Sequence, residues 1–288
     1  MNLAIQSGYY LKDCPQCGVE RIAKLGYKYA TCKIKGRYDQ AFVDFTDDEL
    51  KNEYEPLGKL FSDKGIKLVY TELASEMYLN YGADNNAARE KMVINSIKAT
   101  AFMGCSHLLL KPIALNGAGA DSVEVSKKIT VEIIERLLPV AKEYGVELLI
   151  SNNTCRNSRI FYCSEPEDLL ELYEKYGIKT VFDPVRAYRS MWKFTKSLNM
   201  LKDVLFAYQI ADIESSVKNP FMPMMGSLDY PEIIKTLAKI NEDNKERYAV
   251  MIADNVFNRF SQFSSEGLSS SLDELLFKMG KIIVGERE

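Results

Sequence analysis

One pattern recurs along this sequence: a helix-like segment, a glycine, a short run of apolar β-forming residues, and a polar residue where the run ends. It is clearest between Gly145 and Arg186, where two such runs end at Ser151 and Asp183 around a helix-like segment from Glu165 to Tyr176. Short apolar runs of this kind are typical of parallel strands that are buried on both faces. The stretch therefore predicts a βαβ unit.

The same pattern predicts eight strands in all. The six further strands are expected at Asn2 to Gln6, Tyr27 to Lys33, Ile66 to Thr71, His107 to Leu110, Val204 to Ile210 and Tyr248 to Ala253. Other helix-like segments lie between or after them, at Arg89 to Phe102, Val123 to Tyr144, Pro231 to Asn241 and Leu272 to Ile283. Eight strand–helix units in 288 residues, with no linker between them, predict an α/β fold, namely a closed (β/α)8 TIM barrel forming a single domain over residues 1–288.

Charge and hydropathy exclude two classes of partner. The net charge is -3 and acidic and basic residues are interspersed, so no field would gather nucleic acid or an anionic membrane. The first residues lack a basic segment followed by an apolar one, and no window approaches the roughly 20 apolar residues that span a bilayer. We therefore expect a cytoplasmic protein without nucleic-acid or membrane partners, and a homo-oligomer is compatible with these features.

The cysteines do not predict a disulfide scaffold, because a core of this size needs no cross-links and the cytosol keeps thiols reduced. Cys14 and Cys17 form the only CxxC sequence. A zinc site there would need a second pair of ligands, and the single histidine, His107, begins a predicted strand at the opposite end of the barrel from the expected site. We expect two reduced thiols near the start of the first helix, with metal or redox use of the pair as the alternative.

Several segments, in their order and spacing, resemble one known family. They are Asn85 to Arg89 before Met103-Gly104, Ala141 to Val146, Phe182 to Pro184, Gly226 to Ile234, and Val256 to Asn258. Together they are similar to the xylose isomerase-like TIM-barrel family of sugar phosphate isomerases and epimerases, which also includes endonuclease IV relatives. The resemblance covers nearly the whole chain.

The resemblance implies a metal site that this chain has lost in part. In that family a divalent metal is held by a glutamate after strand five, an aspartate after strand six, a histidine on strand seven and a glutamate after strand eight. The corresponding residues here are Ser151, Asp183, Gln209 and Asn255. Because neutral serine, glutamine and asparagine side chains bind a metal weakly, we expect no tightly bound Mn, Mg or Zn and no other cofactor.

Charged side chains at the ends of other strands are candidates to replace the cation. Lys111 ends strand four, and Arg186 lies three residues beyond Asp183. Both could bind a phosphate or carboxylate, or stabilise an enediolate oxyanion. Glu72, at the end of strand three, is the best carboxylate for proton transfer. We assign catalytic roles to Glu72, Asp183 and Lys111, and the alternative is that these charges only form salt bridges at the rim.

Eight further roles in substrate binding are predicted from position. In a β/α barrel the residues that follow the carboxyl ends of the strands surround the ligand. The predicted binding residues are Ser151, Asn152, Arg186, Gln209, Asp212, Asn255, Trp192 and Tyr9. The two aromatic side chains would pack against the apolar face of a sugar ring, or would only cover the upper layer of the barrel.

The resemblance implies an isomerase or epimerase of a sugar, sugar acid or sugar phosphate that acts without the usual tightly bound metal. The expected partner is a small carbohydrate-like molecule. The loss of two glutamates beside Lys111 and Arg186 favours an anionic one. A non-catalytic relative that binds a carbohydrate or a partner subunit is the alternative, and lyase or hydrolase chemistry stays open, since this barrel supports many reactions.

Overall fold

The computed structural model describes residues 1–12, 14–34, 40–73, 78–80, 86–111, 114–116, 123–154, 161–214, 219–243, 245–253 and 266–286. The strands in this part of the chain are β1 Asn2–Gln6, β2 Tyr29–Ile34, β3 Lys67–Leu73, β4 Tyr78–Asn80, β5 His107–Leu110, β6 Ala114–Asn116, β7 Glu147–Ser151, β8 Lys179–Phe182, β9 Leu205–Ile210, β10 Asp212–Glu214, β11 Asn219–Phe221 and β12 Tyr248–Met251. The helices are α1 Pro15–Lys24, α2 Gln40–Asp44, α3 Asp47–Asp63, α4 Asn86–Phe102, α5 Val123–Glu143, α6 Pro166–Tyr176, α7 Pro184–Arg189, α8 Phe194–Leu201, α9 Tyr230–Ile240 and α10 Glu266–Val284.

Eight parallel strands close into a barrel in the order β1, β2, β3, β5, β7, β8, β9 and β12, and β12 pairs with β1 from Asn2↔Tyr248 to Ile5↔Met251. These are the eight strands that the sequence predicts, in the predicted order. The (β/α)8 fold is therefore confirmed. None of the helices in the described part of the chain is long and apolar enough to cross a membrane.

Two short strand pairs lie outside the barrel. Strands β4 and β6 pair in parallel, and β10 and β11 pair as an antiparallel ribbon. All four follow barrel strands along the chain, so they belong to the carboxyl side of the barrel. The sequence pattern does not predict them, because a three-residue strand is too short to show a period of two.

The glycine that recurs in the pattern ends a helix in the left-handed backbone conformation. Gly145 follows α5 with φ 66°, and Gly177 follows α6 with φ 71°. A Cβ at either position would meet no atom within 4 Å, so the requirement for glycine lies in the backbone angle and not in space. The Gly177 N–H donates to the Tyr173 carbonyl oxygen at 2.8 Å and closes the last helical turn.

The amino-terminal end of the barrel is filled by rings. His107 lies 4.5 Å from Phe206, and Tyr248 lies 5.5 Å from Phe206 and 5.4 Å from Tyr29, as measured between ring centroids. The His107 Nε2 atom is 3.6 Å from a carboxylate oxygen of Glu147, and burial lowers the pKa of His107. The histidine thus lies at the end of the barrel opposite to the expected site, as predicted.

The prediction of two reduced thiols at the start of α1 is wrong for the structure. Cys14 and Cys17 are joined by a disulfide, with their Cα atoms 5.3 Å apart. Cys14 caps α1, and Pro15 follows it in the first turn. The two cysteines are one helical turn apart, which brings their side chains to the same side of the helix.

Candidate site at the carboxyl end of the barrel

Three of the predicted site residues end neighbouring strands. Ser151 is the last residue of β7 and pairs with Val181, and Asp183 directly follows β8. Gln209 lies near the end of β9, where Tyr208 pairs with Phe182. The order β7, β8, β9 in the barrel therefore places these three positions side by side at its carboxyl end.

The Asp183 carboxylate is largely occupied by groups of its own chain. It caps α7, where its Oδ1 atom accepts the N–H groups of Val185 at 2.9 Å and Arg186 at 3.1 Å. Its Oδ2 atom lies 3.2 Å from the Arg186 Nε atom, and both side chains are mostly buried. The alternative of a salt bridge between these two residues is thus present in the structure.

Asn152 links the ends of β7 and β8. It is fully buried, its side-chain amide donates to the Asp183 carbonyl oxygen at 3.0 Å, and its Oδ1 atom accepts the Asp183 N–H at 2.7 Å. Both polar atoms are therefore bound to the main chain of Asp183. Asn152 thus has a structural role at the strand ends, and its predicted ligand contact stays a prediction.

Glu72 lies inside the barrel on the opposite wall. Only 2% of the residue is exposed, and the side-chain amide of Gln6 donates to its carboxylate in a short hydrogen bond. Strand β2 separates β1 from β3, so a bond between Gln6 and Glu72 has to pass over the inner face of β2. In the pairing of β3 with β5, Glu72 is the partner of Leu109. Lys111 lies two residues beyond Leu109, directly after β5, and therefore nearer the mouth of the barrel than Glu72. Its side chain is half-buried.

The side chain of Tyr70 extends from β3 across the barrel interior toward β9. It is fully buried beside the side chains of Gln209 and Thr31, although its hydroxyl group forms no hydrogen bond of normal geometry. Strands β3 and β9 are not neighbours, so Tyr70 and Gln209 meet across the interior. Burial, followed by the nearby Glu72 carboxylate, raises the pKa of Tyr70 well above its ordinary value. The Tyr70 hydroxyl group therefore stays protonated and remains a donor.

Asp212 has a role that the sequence did not predict. The residue is fully buried, and its carboxylate accepts three main-chain N–H groups, those of Ile213 at 2.7 Å, Gly226 at 2.9 Å and Leu228 at 3.1 Å. These contacts fasten the chain before α9 to the end of β9. The carboxylate thus binds the protein's own backbone where a ligand contact had been predicted.

The two predicted aromatic residues differ in their surroundings. Trp192 is buried, its indole N–H donates to the Ser164 carbonyl oxygen at 2.7 Å, and its ring packs edge-on against Phe182. These contacts give Trp192 a packing role, and its contact with a ligand stays a prediction. Tyr9 is partly exposed and packs edge-on against Tyr10 after β1, so it remains a candidate for a ligand contact. The remaining predicted residue, Asn255, lies outside the described residues.

The side chains present do not fit a tightly bound divalent metal. The three described positions that correspond to the family's ligands carry a hydroxyl group, a carboxylate and an amide, at Ser151, Asp183 and Gln209. The carboxylate already accepts two N–H groups and faces a guanidinium group, which would repel a cation. Within the described ranges, no group of three or more His, Cys, Asp or Glu side chains is placed to hold a metal.

Sequence reasoning missed Gln6 and Tyr70 as residues of the site. A signal for them is present in the spacing. Gln6 is the polar residue that follows the apolar run Leu3 to Ile5 of β1, and Tyr70 lies two residues before Glu72, on the same face of β3. Residues of a strand that share a face with an inward carboxylate also point inward.

Comparison with known proteins fits this geometry. The sequence matches the xylose isomerase-like TIM barrel family over residues 19–244. The chain belongs to this family. No curated protein matches the chain at a significant level. Membership accounts for the barrel and for the location of the site at its carboxyl end, because in this fold the strand ends surround the ligand.

Solved structures with the same fold include several sugar epimerases. A D-psicose 3-epimerase in the presence of D-fructose has a TM-score of 0.71 and 15% identity, covering 99% of this chain and 100% of that chain. A 3-keto-D-glucoside 4-epimerase from E. coli has a TM-score of 0.69 and 12% identity, covering 97% and 99%. The IolI protein with a zinc atom has a TM-score of 0.67 and 14% identity, covering 99% and 99%. At such identities the likeness establishes the fold alone.

Proposed function

We propose that the protein is an isomerase or epimerase of a sugar, sugar acid or sugar phosphate and that it acts without the family's tightly bound metal. The observation that carries the proposal is the buried Glu72 carboxylate. It is held by Gln6 on the inner face of the barrel, near the carboxyl end where this fold binds its ligands. A positioned carboxylate is the group that such a reaction needs to move a proton.

The chemistry has three requirements that the chain's own residues can meet. Glu72 would take the proton from the carbon next to the substrate carbonyl, and the electron pair of that C–H bond would form an enediolate. The negative charge on the enediolate oxygen needs a cation or a hydrogen-bond donor. Lys111 follows the neighbouring strand β5 and is the proposed partner for that oxygen. Return of the proton from Glu72 to the neighbouring carbon would complete isomerisation. Epimerisation would instead need a second acid that protonates the opposite face of the enediolate.

The family relatives support the substrate class. The two epimerases compared above act on sugars by their names, and one was solved in the presence of D-fructose. The IolI structure holds zinc, whereas Ser151, Asp183 and Gln209 here form a donor set of a different kind. We therefore carry over the class of substrate and not the metal-assisted step.

The test is exchange of substrate hydrogen with solvent. Protein treated with a chelator would be incubated in D2O with D-fructose, D-tagatose, D-psicose, fructose 6-phosphate and glucuronate, and followed by 1H NMR. We expect deuterium at the carbon beside the carbonyl of at least one compound, and Glu72→Gln to slow this exchange at least about 100-fold. Exchange that needs added Mn or Zn would contradict the metal-independent proposal.

A matched control comes from the other end of the barrel. Glu147 begins β7 beside His107, and its side chain is largely exposed. Glu147→Gln makes the same chemical change on the same barrel and should leave the exchange rate within about twofold. If both variants slow exchange equally, Glu72 is not the group that moves the proton.

A non-catalytic carbohydrate-binding relative is the second candidate. It is favoured by the way Asp183 is occupied by Arg186 and by main-chain donors. A compound that raises the melting temperature but exchanges no hydrogen would support it. Stronger stabilisation by the phosphate or acid than by the neutral sugars would support an anionic ligand, and equal stabilisation would contradict it.

A further inference from the structure

We propose that Gln6, Thr31 and Tyr70 form a hydroxyl-binding subsite on the inner face of β1, β2 and β3, opposite the positions where the family holds its metal. The subsite rests on the proposed function in one respect, since it would bind the same carbohydrate-like molecule. Its ligand group is an alcohol of that molecule, recognised by hydrogen bonds.

The three residues lie at one level of the barrel. In the parallel pairing of β1 with β2, Gln6 is the partner of Thr31, and in the pairing of β2 with β3, Thr31 is the partner of Tyr70. Paired residues of neighbouring strands point to the same face. That face is the inner one, because Gln6 bonds Glu72 over β2 and Tyr70 reaches Gln209 on β9.

Each of the three side chains has a buried polar atom without a hydrogen bond of normal geometry, although the Tyr70 hydroxyl group lies near the side chains of Thr31 and Gln209. The Gln6 Oε1 atom, the Thr31 Oγ1 atom and the Tyr70 hydroxyl group are buried and form no hydrogen bond with the described residues. The residues are 4%, 0% and 0% exposed. Buried polar groups in native proteins are nearly always paired, and three unpaired ones at one level of a barrel indicate a bound polar group.

The unused atoms match the chemistry of an alcohol. The Gln6 Oε1 atom can only accept a hydrogen bond, whereas the Thr31 and Tyr70 hydroxyl groups can each donate one. A substrate hydroxyl group both donates and accepts, so it can pair with the acceptor and with a donor at once. An isolated anion would meet the Gln6 oxygen and the Glu72 carboxylate, which repel it. The subsite therefore fits a neutral polyol segment of the ligand.

The subsite lies on the wall that carries the proposed proton-transfer residue. Glu72 follows Tyr70 by two residues on β3, one step nearer the mouth. An alcohol bound by Gln6, Thr31 and Tyr70 would place a neighbouring carbon of the same chain near the Glu72 carboxylate. Residues that fix such an alcohol act as positioning residues for the reaction.

Tyr70→Phe and Thr31→Val test the subsite, and Tyr208→Phe is the matched control. The Tyr208 hydroxyl group is also buried without a partner among the described residues, but its ring stacks on Phe182, with the ring centroids 5.7 Å apart. The probes are D-fructose, D-tagatose, D-psicose, fructose 6-phosphate, glucuronate and the polyol ribitol. Binding would be measured by thermal shift and then by calorimetry for the probes that stabilise the wild-type protein.

We expect Tyr70→Phe and Thr31→Val each to weaken binding about tenfold, the change that the loss of one hydrogen bond produces. Tyr208→Phe should not change binding. All three variants should melt no more than about 2 °C below the wild-type protein, because these hydroxyl groups form no hydrogen bond of normal geometry with the described residues.

Two results would overturn the subsite. One is unchanged affinity in Tyr70→Phe and Thr31→Val, and the other is the absence of stabilisation of the wild-type protein by any of the probes. A melting temperature that falls in Tyr70→Phe with unchanged affinity would show a purely structural hydroxyl group. If the two variants weaken binding but no probe exchanges hydrogen in D2O, the subsite stands and the proposed isomerase function fails. If hydrogen exchange and ligand affinity are both normal in Tyr70→Phe and Thr31→Val, the proposed isomerase function stands and the subsite fails.

Discussion

The clearest structural prediction concerns Asp212. Its carboxylate is the anchor for the chain that leads into α9, since it accepts the N–H groups of Ile213, Gly226 and Leu228 at 2.7, 2.9 and 3.1 Å. Accepting three such bonds requires two acceptor oxygens, which among side chains of this size only a carboxylate has. Asp212→Ala should therefore destabilise the protein strongly, although the residue lies at the carboxyl end of the barrel.

The size of the effect follows from the donors left behind. Leaving a buried N–H group unpaired costs about 1–3 kcal/mol. Two of the three donors lie 14 and 16 residues away from Asp212 and have no local alternative. The third donor is the N–H group of Ile213, the residue next to Asp212, and its peptide group can reorient more easily. We estimate a loss of about 3–5 kcal/mol, which lowers the melting temperature of a chain of this size by roughly 6–12 °C.

Thermal unfolding and hydrogen exchange would measure this. Asp229→Ala is the control, because Asp229 caps α9 by a single bond to the Glu232 N–H at 3.2 Å and should cost only about 1 kcal/mol. Hydrogen exchange of residues 222–228 should speed up in Asp212→Ala. Gly226→Ala should act similarly, since its Cβ atom would lie 2.6 Å from the Ile213 carbonyl oxygen and against the Asp212 carboxylate. An Asp212→Ala protein that melts within about 3 °C of wild type would refute the anchoring role.

Three further predictions are independent of that test. Dialysed protein should contain well under one equivalent of Mn, Mg, Zn or Co by elemental analysis, and a full equivalent would contradict the argument from the donor set at Asp183. His107 is the single histidine, so NMR should show one imidazole titration with a midpoint below about 6.5, and Glu147→Gln should lower that midpoint further, because the Glu147 charge raises it. Since the folded-state pKa of His107 is depressed, its contribution to stability is present above about pH 6.5 and lost as the pH falls below it. In protein purified without a reductant, an alkylating reagent should leave Cys14 and Cys17 unmodified, because they form a disulfide. After treatment with a mild thiol both cysteines should be alkylated, because the disulfide is accessible to solvent at Cys17.

The barrel could be predicted from sequence because its strands are buried on both faces and five of the eight, β2, β3, β5, β7 and β8, begin shortly after a helix-ending glycine. Strand β2 begins later than the sequence predicts, at Tyr29 instead of Tyr27. Tyr27 is buried against Phe277 of α10, with ring centroids 4.8 Å apart, before the strand begins. An apolar pattern indicates that a residue is buried, but it does not indicate whether the backbone of that residue is hydrogen-bonded to a neighbouring strand.

The site was harder to predict than the fold. The sequence placed Asn152 and Asp212 correctly at strand ends, but their polar atoms bind main-chain groups of Asp183 and of residues 213–228. Whether a polar side chain at a strand end faces a ligand or the backbone depends on loops that come later in the chain. Periodicity along one strand contains no information about those loops.

The acidic side chains on the two walls of the barrel have different hydrogen-bond partners. On the wall of β7, β8 and β9, the one retained acid, Asp183, is occupied by Arg186 and by the first turn of α7. On the opposite wall, the buried Glu72 carboxylate accepts a hydrogen bond from Gln6, and polar atoms of Gln6, Thr31 and Tyr70 on the same wall have no hydrogen-bond partner among the described residues. Burying a carboxylate and unpaired hydroxyl groups costs stability, and such costs persist where a ligand or a reaction uses the groups. Because Gln6, Thr31 and Tyr70 lie on the same wall as Glu72, substitutions on β1 to β3 are the most direct test of where this barrel binds its ligand.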